Sequence, residues 1–312
     1  MVYVITGGAG FIGSNLVEAL VNKGERVVVI DDLSTGRLEN IRPFMDKIEF
    51  VEGSILDLEL LNRIFKGADF VLHQAAIPSV PRSIADPIAS NAVNITGTLN
   101  VLVAARNAGV KRVVYASSSS AYGDTPTMPK VETMPTKVMS PYALMKLTGE
   151  TYCRLFSEIY ELETVALRYF NVFGPRQDPD SQYSAVIPIF IKAILEGKPP
   201  KIFGDGTTSR DFCYIQNVVN ANLLACTAEG VAGDVFNIAC GEQTTLTMLV
   251  EKINNILGKD IDAVHDAERP GDIKHSLADI SKAKRLLGYE VEVPFDEGLK
   301  KTIGWYKKGM IS

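Results

Sequence analysis

Val2-Tyr3-Val4-Ile5-Thr6-Gly7-Gly8-Ala9-Gly10-Phe11-Ile12-Gly13-Ser14 is the stretch that decides the fold. An apolar run ends in a Thr, glycines follow at 7, 8, 10 and 13, and Leu16, Val17, Leu20 and Val21 then recur at helical spacing. This is strand, glycine turn, helix. After Gly24 the run Val27-Val28-Val29-Ile30 is a second strand ending at Asp31. Unbroken β-branched runs of this kind are buried parallel strands. The glycines permit a tight turn, let backbone approach a pyrophosphate and let helix and strand pack closely. The helix then aims its first N–H groups at the phosphates. A carboxylate at Asp31 can bond both hydroxyls of an adenosine ribose and repels a 2′-phosphate. The expectation is a bound dinucleotide, NAD in preference to NADP.

Working outward, strands and helices alternate. Lys47 to Val51 reads as a third strand, Leu56 to Phe65 as a helix capped by Asp57, and Asp69 to His73 as a fourth strand leading into Gln74-Ala75-Ala76. Asn91 to Ala108 is a long amphipathic segment. Arg112 to Ala116 is a fifth strand running into Ser117-Ser118-Ser119-Ser120. Pro141 opens a helix, where its missing N–H costs nothing, and Thr164 to Arg168 is a sixth strand. Repeated βα units of this order predict an α/β fold, a Rossmann-type doubly wound parallel sheet with ligands beyond the C-terminal strand ends. From about Asn171 the texture changes to loops rich in Gly, Pro and Asp, and Lys201 to Gly206 reads as a strand into a turn. We expect residues 1–175 to form the NAD-binding domain and 176–312 a smaller substrate domain. Val218 to Ala228 is read as a helix and Val235 to Ile238 as a buried strand, so a segment near 211–240 is expected to return to the first sheet.

Composition narrows the function classes. With 32 basic and 37 acidic residues the net charge is −5, which offers no basic field for nucleic acid. No apolar run read from the sequence reaches the length of a membrane helix, and a first strand at Val2 leaves no room for a signal peptide. Cys153, Cys213, Cys226 and Cys240 lack CxxC or zinc spacing and read as reduced core thiols of a cytoplasmic protein. Three scattered histidines argue against a His-based metal site.

The chemistry centres on Tyr142 and Lys146, one helical turn apart on one face. An ammonium beside a phenol stabilises the phenolate, and a nicotinamide cation adds to that, which makes the tyrosine a usable base near neutral pH. Such a pair is common on helix surfaces; a dinucleotide turn and a serine cluster at a strand end give it weight here.

At this point the sequence resembles the extended short-chain dehydrogenase/reductase family. The matching residues are Gly7, Gly10, Gly13, Asp31, Asn94, Ser117 to Gly123, Tyr142, Lys146, Leu167 to Pro175, Ser209 to Phe212 and Arg269 to Asp272. They span nearly the whole chain. The pattern is similar to UDP-sugar 4-epimerases, and Ser79-Val80-Pro81-Arg82-Ser83 with Gly271 to Asp279 is similar to the UDP-N-acetylhexosamine group. The resemblance implies Ser118, Tyr142 and Lys146 as catalytic residues. It implies NAD contacts from Gly7, Gly10, Phe11, Ile12, Gly13, Asp31, Asp32, Ser34, Thr35, Gly36, Ser54, Ile55, Gln74, Ala75, Ala76, Asn94, Tyr142, Lys146 and Tyr169. It implies UDP-sugar contacts from Ser79, Ser118, Ser119, Ser120, Tyr142, Asn171, Ala185, Val186, Arg210, Arg269, Asp272 and Ser276. Arg210 and Arg269 would clamp the diphosphate, as planar multi-donor cations do. The family also dimerises through two long helices, here near Asn91 to Ala108 and Pro141 to Tyr160, so a homodimer is expected.

Two departures matter. Family members often carry Asp after the third-strand glycine; this chain has Gly53-Ser54-Ile55, and Ser54 can still accept a bond from the adenine amine. Dehydratases of the family carry an Asp-Glu pair just after the catalytic hydroxyl; here Ser119 and Ser120 stand there, so elimination of water lacks its acid and base. The expected reaction is 4-epimerisation through a transient ketone. The alternatives are a UDP-glucuronate 4-epimerase or other UDP-sugar enzyme and, from another class, a dinucleotide-sensing protein without catalysis. Fold alone does not exclude the sensor, but retention of Ser118, Tyr142 and Lys146 argues against it.

Overall fold

Seven strands, all parallel, make the core sheet of the computed structural model, which describes residues 1–179, 185–268 and 273–311. In chain order they are β1 (Val2–Thr6), β2 (Arg26–Asp31), β3 (Ile48–Glu52), β4 (Phe70–His73), β5 (Arg112–Ser118), β6 (Glu163–Tyr169) and a return strand, Asp234–Ile238. In space the order is β3-β2-β1-β4-β5-β6-return. The order reverses between β1 and β4, and an open α/β sheet binds its ligand at such a switch point. Register brings the chemistry to one edge: Thr6 lies opposite Ile30 and His73, and Ser118 opposite Tyr169.

Successive side chains of a strand face opposite sides, and the strands are apolar on both. Ile5 and Val29 pack with Leu16, Val17 and Leu20 of α1 (Phe11–Asn22), while Val4 and Val28 face the other layer with Leu61 and Phe65. That second layer is built by α2 (Leu58–Ile64), capped as expected by Asp57, whose Oδ1 accepts from the Leu60 N–H at 2.9 Å.

The segment expected as one helix from Asn91 is built from several pieces. After α3 (Val80–Ala85), α4 (Pro87–Asn91) passes through a π-helical stretch, Ala92–Gly97, into α5 (Thr98–Ala108). Gly97 lets the stretch lie against Ile55, where a Cβ would stand 2.4 Å from Cδ1. The joined run Pro87–Ala108 is long and apolar enough to cross a membrane, contrary to the sequence reading, but it packs between α2 and the helix from Pro141, α6, as a core helix does. That α6 (Pro141–Tyr160) starts where its proline predicts, with Ser140 Oγ accepting from the Ala143 N–H at 3.1 Å. Strand β5 continues two residues past its expected end, carrying Ser117 and Ser118 into the ladder with β6.

Beyond β6 the chain forms short pairings: Val172–Phe173 with Cys213–Tyr214, Ser209–Arg210 with Thr244–Thr245, and Lys201–Phe203 with Val264–Asp266. Around them pack α7 (Val186–Leu195), α8 (Ile215–Thr227), α9 (Leu246–Leu257), α10 (Ser281–Leu287) and α11 (Phe295–Ile311). Helix α8 and the return strand are the segment expected to rejoin the sheet; the return strand pairs with β6 from Asp234↔Val165 to Ile238↔Tyr169.

Candidate active site

A cleft of about 680 Å³ opens at the switch point. Gly7, Gly10, Phe11, Ile12, Gly13, Asp31, Asp32, Ser34, Thr35, Gly36, Ile55, Gln74, Ala75, Ala76, Ser79, Tyr142, Lys146, Tyr169 and Ala185, all expected site residues, line it. The glycine turn cannot accept side chains. A Cβ on Gly13 would stand 2.2 Å from the Gly7 carbonyl, and Gly7, at φ +70°, would place one 2.7 Å from the Ala75 backbone. Asp31 closes the end of β2, with Oδ2 accepting from the Ala9 N–H and Oδ1 from the Leu33 N–H, each at 2.9 Å. Burial raises its pKa, against which these two N–H groups act. Glycine turn, helix start and terminal acid are thus assembled as a dinucleotide requires.

Two expected cofactor residues stand behind the lining. Ser54 Oγ accepts from the Leu56 N–H at 3.3 Å. Asn94, in the π-helical stretch, brackets the wall residue Ile77, accepting from its N–H at 2.8 Å and donating to its carbonyl at 3.2 Å.

Tyr142 and Lys146 reach the cleft from the first turns of α6. Burial pushes the Tyr142 phenol up to about 12, and a hydrogen bond with Ser118 works against that rise. Burial pushes Lys146 down to about 8, opposed by Cys153 and Glu150, and its Nζ donates to the Ala116 carbonyl at 2.7 Å. Ser118 also accepts from Ser120, from N–H at 3.2 Å and from Oγ at 2.9 Å. A phenol, a hydroxyl and an ammonium therefore meet at the end of β5, as proton transfer to and from a substrate hydroxyl requires.

Sequence reasoning missed what holds these groups. Ser83, fully buried on α3, accepts from the Tyr142 N–H at 3.0 Å and donates to the Val80 carbonyl at 2.7 Å. It caps one of the unpaired N–H groups at the start of α6. Ser79 caps α3 itself, accepting from Arg82 N–H at 3.1 Å. Glu150, one turn beyond Lys146, accepts from Ser117 Oγ and pairs with Arg168. Helical spacing from Lys146 was the available signal for Glu150; nothing local marked Ser83. On the other flank His73 is buried and held neutral, burial pushing it down to about 3 with Lys146 adding to the effect. Thr98 Oγ1 donates to the Asn94 carbonyl at 2.8 Å, so His73 Nε2 donates to Thr98 and Nδ1 accepts from Thr6, at 3.0 and 2.7 Å.

The expected substrate residues fall into separate groups. Ser119 and Ser120 begin a short 3-10 turn beyond Ser118. Asn171, at φ +31°, donates to the Asp211 carbonyl and to Ser276 Oγ, both at 3.1 Å. Arg210 turns its guanidinium onto the carbonyls of Ser209 and Lys274, at 2.9 and 3.1 Å, and does not line the cleft. Ala185 caps α7, which Val186 begins. Arg269 and Asp272 lie outside the described residues. Between these groups Asp211, fully buried, accepts from the N–H groups of Cys240, Gly241 and Ala278 at 2.9, 3.0 and 3.1 Å.

Comparison with known proteins agrees with this geometry. The pattern of the NAD dependent epimerase/dehydratase family matches residues 3–239. The fold superposes with TM-score 0.94 on a UDP-N-acetylglucosamine 4-epimerase of Methanobrevibacter ruminantium in complex with UDP-N-acetylmuramic acid, 44% identical, covering 99% of this chain and 98% of that one. A UDP-glucose 4-epimerase of Thermotoga maritima with UDP-glucose gives TM-score 0.95 at 39% identity, covering 99% and 100%. A UDP-glucuronic acid 4-epimerase of Bacillus cereus, solved with UDP-glucuronic acid and NAD, gives 0.91 at 34%, covering 99% and 99%. The matched residues, the likenesses and the Ser118–Tyr142–Lys146 cluster agree: the chain belongs to the NAD-dependent epimerase/dehydratase family, as an extended short-chain dehydrogenase/reductase among its UDP-sugar 4-epimerases.

Proposed function

We propose that the protein interconverts the C4 epimers of UDP-N-acetylhexosamines as well as of UDP-hexoses, through a 4-keto sugar. The observation that carries the chemistry is the placing of Tyr142 and Lys146, one turn apart on α6, in the wall of the dinucleotide cleft, with Ser118 at the adjoining end of β5. Bound NAD supplies the hydride acceptor and donor. Tyr142 as phenolate takes the proton of the 4-hydroxyl and later returns it; Ser118 holds that oxygen in line with the phenol. Lys146, a buried cation anchored on Ala116, favours the phenolate electrostatically. The sugar turns over between the two transfers while its UDP stays bound. In this reading residues 1–175 with the 211–240 return hold NAD, residues 176–312 supply the UDP-sugar side, and the protein works in the cytoplasm as a homodimer.

Substrate breadth rests on Ser276. The resemblance to the epimerases sets this position beside the C2 substituent, where a side chain as small as serine would leave room for an N-acetyl group and a bulky residue would exclude it. Ser276 Oγ accepts from Asn171 Nδ2 at 3.1 Å and from the Asp211 N–H at 3.3 Å, so it also closes a loop. Supplying UDP-Gal, UDP-GalNAc and UDP-GlcA separately and resolving the C4 epimers tests the proposal. Conversion of the first two supports it. Conversion of UDP-GlcA alone favours the competing glucuronate reading, and release of stoichiometric NADH points to a dehydrogenase. Ser276→Tyr should lose UDP-GalNAc and keep UDP-Gal.

A further inference from the structure

The cofactor cleft has two walls that come from distant parts of the chain. One is the loop after Asp31, carried through Gly36 and Arg37 to Asn40; the other is the segment Arg176-Gln177-Asp178. Each is fixed at its base. On the first wall the Arg37 N–H and Asn40 Nδ2 both donate to the Ala9 carbonyl, at 3.0 and 2.9 Å. On the second, Asn15 of α1 donates to the Pro175 carbonyl at 3.3 Å, and Arg176 donates to Asn15 Oδ1 at 2.9 Å and pairs with Glu18. Tyr306 of α11 donates to the Gln177 carbonyl. Arg176 sits at φ +70°, a conformation that a non-glycine residue keeps only when its surroundings hold it. Among the described residues, a contact joins the two walls: Arg37 Nη2 donates to Asp178 Oδ2 at 2.6 Å, between residues 141 apart in sequence.

We propose that Arg37 and Asp178 bridge the mouth of the cofactor cleft and set how fast bound NAD leaves. The inference rests on the dinucleotide reading of the cleft and goes beyond it, since the pair is not needed to recognise the cofactor. Arg37 is 59% and Asp178 32% exposed, so the pair adds little to global stability. Its position gives it a different effect. A dinucleotide lying against the glycine turn leaves past these walls, and each departure requires the ion pair to open. A redox-neutral cycle has no need of cofactor exchange, so a closed mouth costs it nothing.

The test is the exchange rate of bound NAD, chased with excess fluorescent etheno-NAD and without substrate, for wild type, Arg37→Gln, Asp178→Asn and the double variant. At low salt each single variant should exchange roughly three- to fivefold faster than wild type, the range a single exposed pair supports. The double variant should be no faster than the singles, and wild type should approach them at about 1 M salt, where the pair is screened. Wild-type rates in both single variants, or effects that multiply in the double variant, overturn the bridge. Failure of all four proteins to hold either dinucleotide overturns the cofactor reading and the bridge with it.

Discussion

Arg168 and Glu150 form a two-point ion pair inside the protein, Nε to Oε1 at 2.8 Å and Nη2 to Oε2 at 2.7 Å, with side chains only 5% and 4% exposed. The same carboxylate takes the Ser117 hydroxyl, and the guanidinium lies 4.6 Å over the Tyr122 ring. The pair therefore ties α6, which carries Tyr142 and Lys146, to the ends of β5 and β6. Removing one partner strands a buried charge, so Glu150→Gln or Arg168→Met should each destabilise the fold by about 3–5 kcal/mol. Replacing both together with apolar residues should cost far less. Urea unfolding of the three variants measures the difference.

Ser118 acts against the rise that burial imposes on the Tyr142 pKa. Ser118→Ala should therefore raise the pKa of Tyr142 further. In the proposed mechanism the reactive form is the phenolate, so the acidic limb of the kcat/KM profile should move to higher pH, with about tenfold less activity at neutral pH per unit moved. Tyr142→Phe removes the proposed base, and turnover should fall by about 10²–10⁴-fold with UDP-sugar binding kept. A pH–rate profile for Ser118→Ala that overlays wild type would remove Ser118 from this role.

Asp211 is ionised against burial: its pKa is pushed up from 3.8 to about 6, although backbone N–H groups pull it down. The folded state therefore binds this proton more tightly than the unfolded chain. Its contribution to stability is complete below about pH 4 and is lost as pH rises through about 6, on the order of 3 kcal/mol across that window. Asp31, also raised by burial, acts in the same direction. Unfolding free energies of the cofactor-free protein should decline from pH 4 to 6.5, and Asp211→Asn should flatten most of that slope.

The sequence was most informative where one local rule governs. The glycine turn, the runs at 27–30 and 112–116, the Asp57 cap and the Pro141 start all follow from neighbours within a few residues, and the structure places each within two residues of its reading. The dinucleotide wall was legible for the same reason, since Gly7, Gly13 and Asp31 lie within twenty-five positions. Contacts set by tertiary packing were not. Ser83 meets Tyr142 across 59 residues, and Arg37 meets Asp178 across 141, with nothing in either flank announcing the partner. The helix from Asn91 was read as one piece because a π-helical insertion keeps the apolar periodicity nearly intact. Its signature is a backbone hydrogen-bond pattern, which composition does not record.

The return strand has a consequence for how such a chain can diversify. Because Asp234–Ile238 pairs with β6, the sheet is completed only after the segment between Phe170 and Gly233 has left it and come back. That excursion, together with the chain from Ala239 onward, departs from the same end of the sheet that holds Ser118 and Tyr169. Apart from the return strand, the described residues of these segments do not enter the ladder of the seven-stranded sheet. Their length and composition can be rewritten without altering the register of any strand in the sheet. On the proposed reading, selection can then change which sugar is admitted, and the cleft wall at Arg176 to Asp178 with it, while the strands of the sheet are inherited unchanged.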